Sequence, residues 1–179
     1  MLNRLVRTKR ICGDRLRASS LSLSGAKLAT KVNIGPRTRV DYPWRVSIGT
    51  RATLESDVWL KVVDQNATIA IGDYTFVGRG TELDIAKEIV IGSNVLIAPR
   101  VFITDHSHNI DDGQPIQSQG CTTQSIMIGD DVWIGTGAVI VLGVSIGPGA
   151  VIGAGAIVNR NVPANEVWAG VPARKIRTR

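Results

Sequence analysis

Rings, thiols and imidazoles are scarce in this chain of 179 residues, which holds two Phe, two Tyr, four Trp, two Cys and two His. With aromatics at 4% and hydrophobic residues at 44%, the core must come from Ile, Val, Leu and Ala, which favours strand-type packing of β-branched side chains. Cys12 and Cys121 are too few for a disulfide framework and do not form a CxxC metal motif, so a reducing cytoplasm is the expected compartment. His106 and His108 lie two residues apart. A mechanism needing imidazoles from distant parts of one chain is thereby excluded. No uninterrupted apolar run reaches membrane-spanning length, and Arg4, Arg7, Lys9 and Arg10 break the apolar region that a signal peptide would need. A soluble protein is expected.

What the chain has in quantity is glycine. Nineteen Gly argue against a mainly helical fold, since each costs roughly 1 kcal/mol relative to Ala inside a helix. They do not recur every third residue, so collagen is excluded. The length suits one domain, and the formal charge of +6 admits nucleic acid, anionic lipid or a phosphorylated cofactor as partners. Nucleic acid is disfavoured: the basic residues gather at the two ends, beside no recognition-helix or aromatic pattern.

The glycines fall in a repeat. From Ile128 the chain parses into six consecutive hexads, IGDDVW, IGTGAV, IVLGVS, IGPGAV, IGAGAI and VNRNVP, ending at Pro163. Each opens with Ile or Val, and the fifth residue is Val or Ala. A helix would scatter a six-residue period over several faces, whereas a strand keeps every opening residue on one side. The hexads are therefore short strands with an inward aliphatic face, separated by turns that Gly permits. Ile71, Val77 and Leu83, then Ile91, Ile97 and Ile103, continue the phase upstream, and Ile34, Ile48 and Leu54 open poorer copies. Irregular spacings at 60–70 and 84–90 read as corner excursions. Three hexads make one triangular coil, and stacked coils bury an aliphatic column with the small fifth residue in the corner.

This repeat resembles that of the hexapeptide-repeat acyltransferases, and the resemblance implies a left-handed parallel β-helix over residues 31–163. The general preference for right-handed crossovers would have implied the opposite hand. Residues 109–127 contain no hexad and are rich in Gln, Ser, Thr and Asp, the mark of a protruding functional loop. Residues 164–179 are expected to cap one end of the solenoid as a short helix or strand, and the basic, weakly amphipathic residues 1–30 to cap the other. The second cap is also a candidate for peripheral contact with a membrane-linked or anionic substrate.

Within the family, IAPRVFITDHSH resembles the catalytic coil of the maltose and galactoside O-acetyltransferase branch. The DHSH form, with its Gln- and Thr-containing loop and IGDDVWIG, looks closer still to acetyltransferases of lipopolysaccharide, capsule and O-antigen assembly. The resemblance covers roughly residues 70–179. Its catalytic His comes eleven residues after the Ile of IAP, which from Ile97 is His108. That role is general base: an imidazole with pKa near 6.5 takes the proton of a sugar hydroxyl as it attacks the thioester of acetyl-CoA. Direct transfer needs neither metal nor covalent enzyme intermediate. His106 is the runner-up base or a supporting partner, and Asp105 either orients an imidazole or is a solvated strand-end carboxylate. The fold also hosts γ-class carbonic anhydrases, whose three separated zinc-binding His have no counterpart here.

By the same resemblance Trp133 sits near the acyl and acceptor site, the competing reading being a surface aromatic. Gly135, Gly137, Ala138, Ala154 and Ala156 offer small residues along a pantetheine path, although Gly in this pattern is first a turn requirement. VNRNVP and GVPARKI resemble VTKDIP and GVPCRVI of the family. Asn159 and Arg160 thereby fall at the family's Thr-Lys positions of the CoA site, and Arg160, Arg174 and Lys175 become partners for the CoA phosphates, against the alternative of a solvated basic terminus. Upstream the chain departs from the maltose and galactoside enzymes: FVGRGTELDIA carries Arg79 and Glu82, with Asp84 as the one acidic counterpart near the acceptor. The expectation is a homotrimeric acetyl-CoA-dependent O-acetyltransferase of surface-polysaccharide assembly. The alternatives are N-acetylation of a nucleotide-linked amino sugar and a non-catalytic β-helix scaffold.

Overall fold

Glycine recurs as the second residue of the hexads because successive coils lie too close for a side chain. A Cβ on Gly72 would fall 2.5 Å from the carbonyl carbon of Gly92, and one on Gly135 would fall 2.6 Å from the amide nitrogen of Ala154. Neither glycine is left-handed. The turn is made two residues later, at the fourth position, where Asp57 (φ 63°), Asn94 (57°), Arg100 (61°), Asp131 (56°) and Gly137 (69°) all adopt the left-handed conformation. The expectation that second-position Gly permits the turn is corrected accordingly: it permits the stacking.

The computed structural model describes the backbone of residues 2–179 and the side chains of residues 12–179. Its coils wind left-handed over about seven turns and form a three-sided prism. Face 1 carries strands Lys27–Leu28, Val46–Ile48, Thr68–Ile71, Glu88–Ile91, Ile126–Ile128 and Ser145–Ile146. Face 2 carries Asn33–Ile34, Thr53–Leu54, Phe76–Val77, Leu96–Ile97, Trp133–Ile134 and Val151–Ile152, with Glu166–Ala169 parallel beside the last. Face 3 carries Arg39–Val40, Trp59–Val62, Glu82–Ile85, Phe102–Thr104, Val139–Ile140 and Ile157–Val158. Pairing is parallel and in phase with the hexads: Ile97 lies between Val77 and Ile134, and Ile103 between Leu83 and Ile140. These opening residues are fully buried. Fifth-position Val and Ala fill the corners, and where Thr replaces them at Thr75 its hydroxyl donates to the Gly92 carbonyl at 2.7 Å.

The large excursions leave from one corner, between face 3 and face 1. There residues 63–67 and 86–87 make the breaks expected at 60–70 and 84–90. The long break is an arm rather than an unstructured loop: His106–His108 pairs antiparallel with Cys121–Thr123. The repeat resumes at Ile126, which is fully buried and pairs with Ile89, so the expected boundary at 127 shifts back.

Helix Leu2–Leu23 lies against the first coil, with Ala18 in the core and the Arg17 Nε donating to the Ile34 carbonyl at 2.8 Å. The coil strands begin at Lys27, inside the segment assigned to the cap. At the opposite end Arg174–Thr178 folds back antiparallel on Glu166–Ala169.

Candidate active site

The arm is rooted by one carboxylate. Where strand Phe102–Thr104 ends, Asp105 is fully buried and accepts the backbone N–H groups of Ala86 at 2.7 Å, Lys87 at 2.8 Å and Glu88 at 2.7 Å. Charge-assisted bonds of this kind are about twice as strong as neutral ones. Asp105 thus fixes the corner of the coil below, while its own carbonyl accepts the N–H of Gln124 at 2.8 Å and anchors the returning strand. The solvated strand-end reading of Asp105 is excluded.

His106 packs into the root. Its ring is 17% exposed, with Nδ1 3.3 Å from Asp105 Oδ1 and 3.3 Å from the Thr104 hydroxyl. On its far side Nε2 lies 4.0 Å from Asp84 Oδ1. Asp84 is buried; its Oδ2 accepts from Lys61 Nζ at 2.8 Å, and its Oδ1 has no hydrogen-bond partner. The bond to Asp84 raises the Lys61 pKa, against the opposing effect of desolvation. His106 is therefore bracketed by two carboxylates and only partly exposed. His108, two residues on along the strand, is exposed, with Nδ1 3.4 Å from the thiol of its cross-strand partner Cys121. Of the two imidazoles, His108 is the more exposed.

Below the arm, face 3 presents a row of polar and aromatic side chains. Trp59 donates through Nε1 to Asp41 Oδ2 at 2.9 Å, and its ring lies 5.5 Å from Lys61 Nζ and 5.6 Å from the Arg39 guanidinium carbon. A cleft of about 380 Å³ opens here, lined by Arg39, Asp57, Trp59 and Glu82. Arg37 donates through Nε and Nη2 to the two carboxylate oxygens of Asp57, at 2.5 and 2.8 Å, and this lowers the Asp57 pKa to about 2. Lys61 and Trp59 were missed in the sequence. Their signal was available, because DVWLKV repeats the DVW pattern of the hexad that carries Trp133 and places Trp59 and Lys61 outward on face 3.

The remaining expected residues are spread over the prism. Trp133 is exposed on face 2, between Leu96 and Val151. Gly137 and Ala154 are exposed at the corner between faces 2 and 3, where a Cβ on Gly137 would meet nothing within 4 Å. Gly135 is buried beneath Ala154, and Ala138 and Ala156 are fully buried with their side chains in the core, so those alanines cannot line a pantetheine path with side chains. Asn159 and Arg160 are exposed at the corner between faces 3 and 1. Arg174 donates to the Ala173 carbonyl, and Lys175 is held by Glu166, whose pKa its hydrogen bond lowers. One chain thus gathers His106, Asp84 and Asp105, with His108 on the arm above them. Trp133 and the Gly137 corner lie elsewhere on its surface.

A family profile described as bacterial transferase hexapeptide (six repeats) matches residues 125–160. An Escherichia coli protein named "Putative colanic acid biosynthesis acetyltransferase WcaF" is 32% identical over 165 residues, which are 92% of this chain and 76% of that protein. The galactoside O-acetyltransferase of E. coli is 38% identical over 133 residues, 70% of this chain and 63% of that enzyme. Of a Mycobacterium tuberculosis protein named "Probable acetyltransferase Rv3034c", 33% identical over 135 residues, the chain spans 45% of the length. Among solved structures, AntD, an N-acyltransferase from Bacillus cereus in complex with dTDP and 3-hydroxybutyryl-CoA, superimposes with a TM-score of 0.81 at 24% identity, covering 90% of this chain and 88% of that one.

Proposed function

Because the chain belongs to the hexapeptide-repeat acyltransferases, we propose that it transfers an acetyl group from acetyl-CoA to a sugar hydroxyl in surface-polysaccharide or lipopolysaccharide assembly in the cytoplasm. The observation that carries the reading is the arm. It holds one exposed imidazole, His108, while its neighbour His106 lies between the Asp84 and Asp105 carboxylates.

With the imidazole neutral and its Nδ1–H given to Cys121 Sγ, the Nε2 lone pair is left free to act as general base. It removes the acceptor hydroxyl proton as the oxygen attacks the thioester carbonyl. Collapse of the tetrahedral adduct breaks the C–S bond, and the imidazolium returns its proton to the departing CoA thiolate. Such a base contributes about 10² to 10⁴ in rate. The cleft beside Trp59 and Glu82 suits a sugar, since an aromatic edge and carboxylate acceptors address its apolar and hydroxylated surfaces. Trp133 and the open Gly137 corner lie on face 2 and its edge, away from the arm, and in a homotrimer a neighbouring chain brings that corner to the arm. Arg160, exposed at the prism corner, and Arg174 on the terminal hairpin then serve the CoA phosphates.

Mass spectrometry of products from a panel of oligosaccharides and nucleotide sugars tests the reading. An O-acetyl ester on a sugar is expected. An N-acetyl product would replace O-transfer by N-transfer. Absence of any product, together with no rise in melting temperature on adding CoA, would leave a scaffold.

A further inference from the structure

Most of the net positive charge of this protein sits in its first helix. Residues 1–23 hold Arg4, Arg7, Lys9, Arg10, Arg15 and Arg17 against Asp14 alone, so they carry +5 of the formal +6, and the other 156 residues share +1. All seven charged residues lie in helix Leu2–Leu23. The helix turns Ala18 and Leu21 towards the first coil, and Asp14 is spent on Arg17. Leu16 and Leu23, seven residues apart and so on one side of a helix, stand 72% and 90% exposed. Next to them, a cleft of about 310 Å³ between the helix and the first coil is lined by Arg15, Ser19, Ser22 and Lys31 over Leu28 and Val32.

We propose that this helix docks the protein on an anionic phospholipid surface, with Leu16 and Leu23 entering the interface and the Arg15–Lys31 cleft receiving a headgroup phosphate. Exposed leucines alone would suit a protein partner, and a cationic helix alone would suit any polyanion. Their combination on one helix, beside a cleft with hydroxyl and cationic donors, matches the chemistry of an anionic bilayer: apolar depth beneath a layer of phosphate. No helix among the described residues is long and apolar enough to cross a membrane, so the contact is peripheral. The proposal uses none of the residues assigned to acetyl transfer and stands or falls apart from that reading.

Co-sedimentation of the full chain with vesicles tests it. Vesicles of phosphatidylcholine with about one third phosphatidylglycerol should bind at least ~10-fold more protein than pure phosphatidylcholine, and 0.5 M NaCl should abolish the difference. Leu16→Ser with Leu23→Ser should lose ~10-fold or more of the binding without moving the melting temperature, since both side chains already face water. Arg15→Glu with Lys31→Glu should lose a comparable factor. Equal binding to both vesicle types, or binding unchanged in the double-serine variant, overturns the proposal. Competition by duplex DNA with no dependence on the leucines would make the helix a general polyanion binder, and abolition of vesicle binding by millimolar inorganic phosphate would make the cleft a free-anion site. Both outcomes count against it.

Discussion

Replacing Asp105 by Asn tests the claim that the arm is rooted by a buried carboxylate. The Asp105 oxygens accept three backbone N–H groups at 2.7–2.8 Å and are fully shielded from water. Asn keeps one acceptor oxygen and presents an NH₂ where the other stood. In its better orientation, at least one amide of Ala86–Glu88 then loses its acceptor and faces a donor. A buried unsatisfied amide costs about 1–3 kcal/mol, and the remaining bonds fall from charged to neutral strength, about 1 kcal/mol each. The sum is about 3–5 kcal/mol. For a chain of this size it lowers Tm by about 10 °C. Urea and thermal unfolding of Asp105→Asn against wild type read it directly. A loss under about 1 kcal/mol would show that the corner is held by the coil ladder alone and would refute the assignment.

Other substitutions probe separate parts of the account. Gly135→Ala should destabilise by about 2–4 kcal/mol, because its Cβ would press on the Ala154 backbone; Gly137→Asn, at a turn that Asn94 and Asp131 already make, should cost under about 1 kcal/mol in the same denaturation assay. A carboxyl NMR titration should place Asp57 at about 2. As its pKa lies below the ordinary 3.8, its contribution to stability is complete above that pH and is lost as pH falls through about 2; a midpoint near 4 would dissolve the pair. His106→Asn should lower kcat by about tenfold and leave the KM for acetyl-CoA unchanged, as suits a residue that positions the arm. Arg160→Ala with Arg174→Ala should do the reverse, raising that KM several-fold.

The prism was legible because its period is carried by side chains that face the core: Ile97, Ile134 and Ile152 stack in one column, and no helix could align them. The glycine rule was half legible. Sequence shows that Gly recurs at the second position, but only the 2.6 Å approach above Gly135 tells that stacking, not turning, demands it. The resemblance placed His108 ahead of His106 by spacing, but the contacts that distinguish the two rings come from distant residues and were not legible: Asp84 beside His106, Cys121 beside His108. The burial of Ala138 and Ala156 follows from the same fifth-position rule that places Val132 inside, and would have removed them as side-chain contacts.

The most direct test of the acyl-transfer account is CoA release by His108→Ala with acetyl-CoA and an acceptor sugar. The account predicts a kcat at least ~100-fold below wild type, with an unchanged KM for acetyl-CoA and an unchanged Tm. A rate within about tenfold of wild type would show that His108 is not the base.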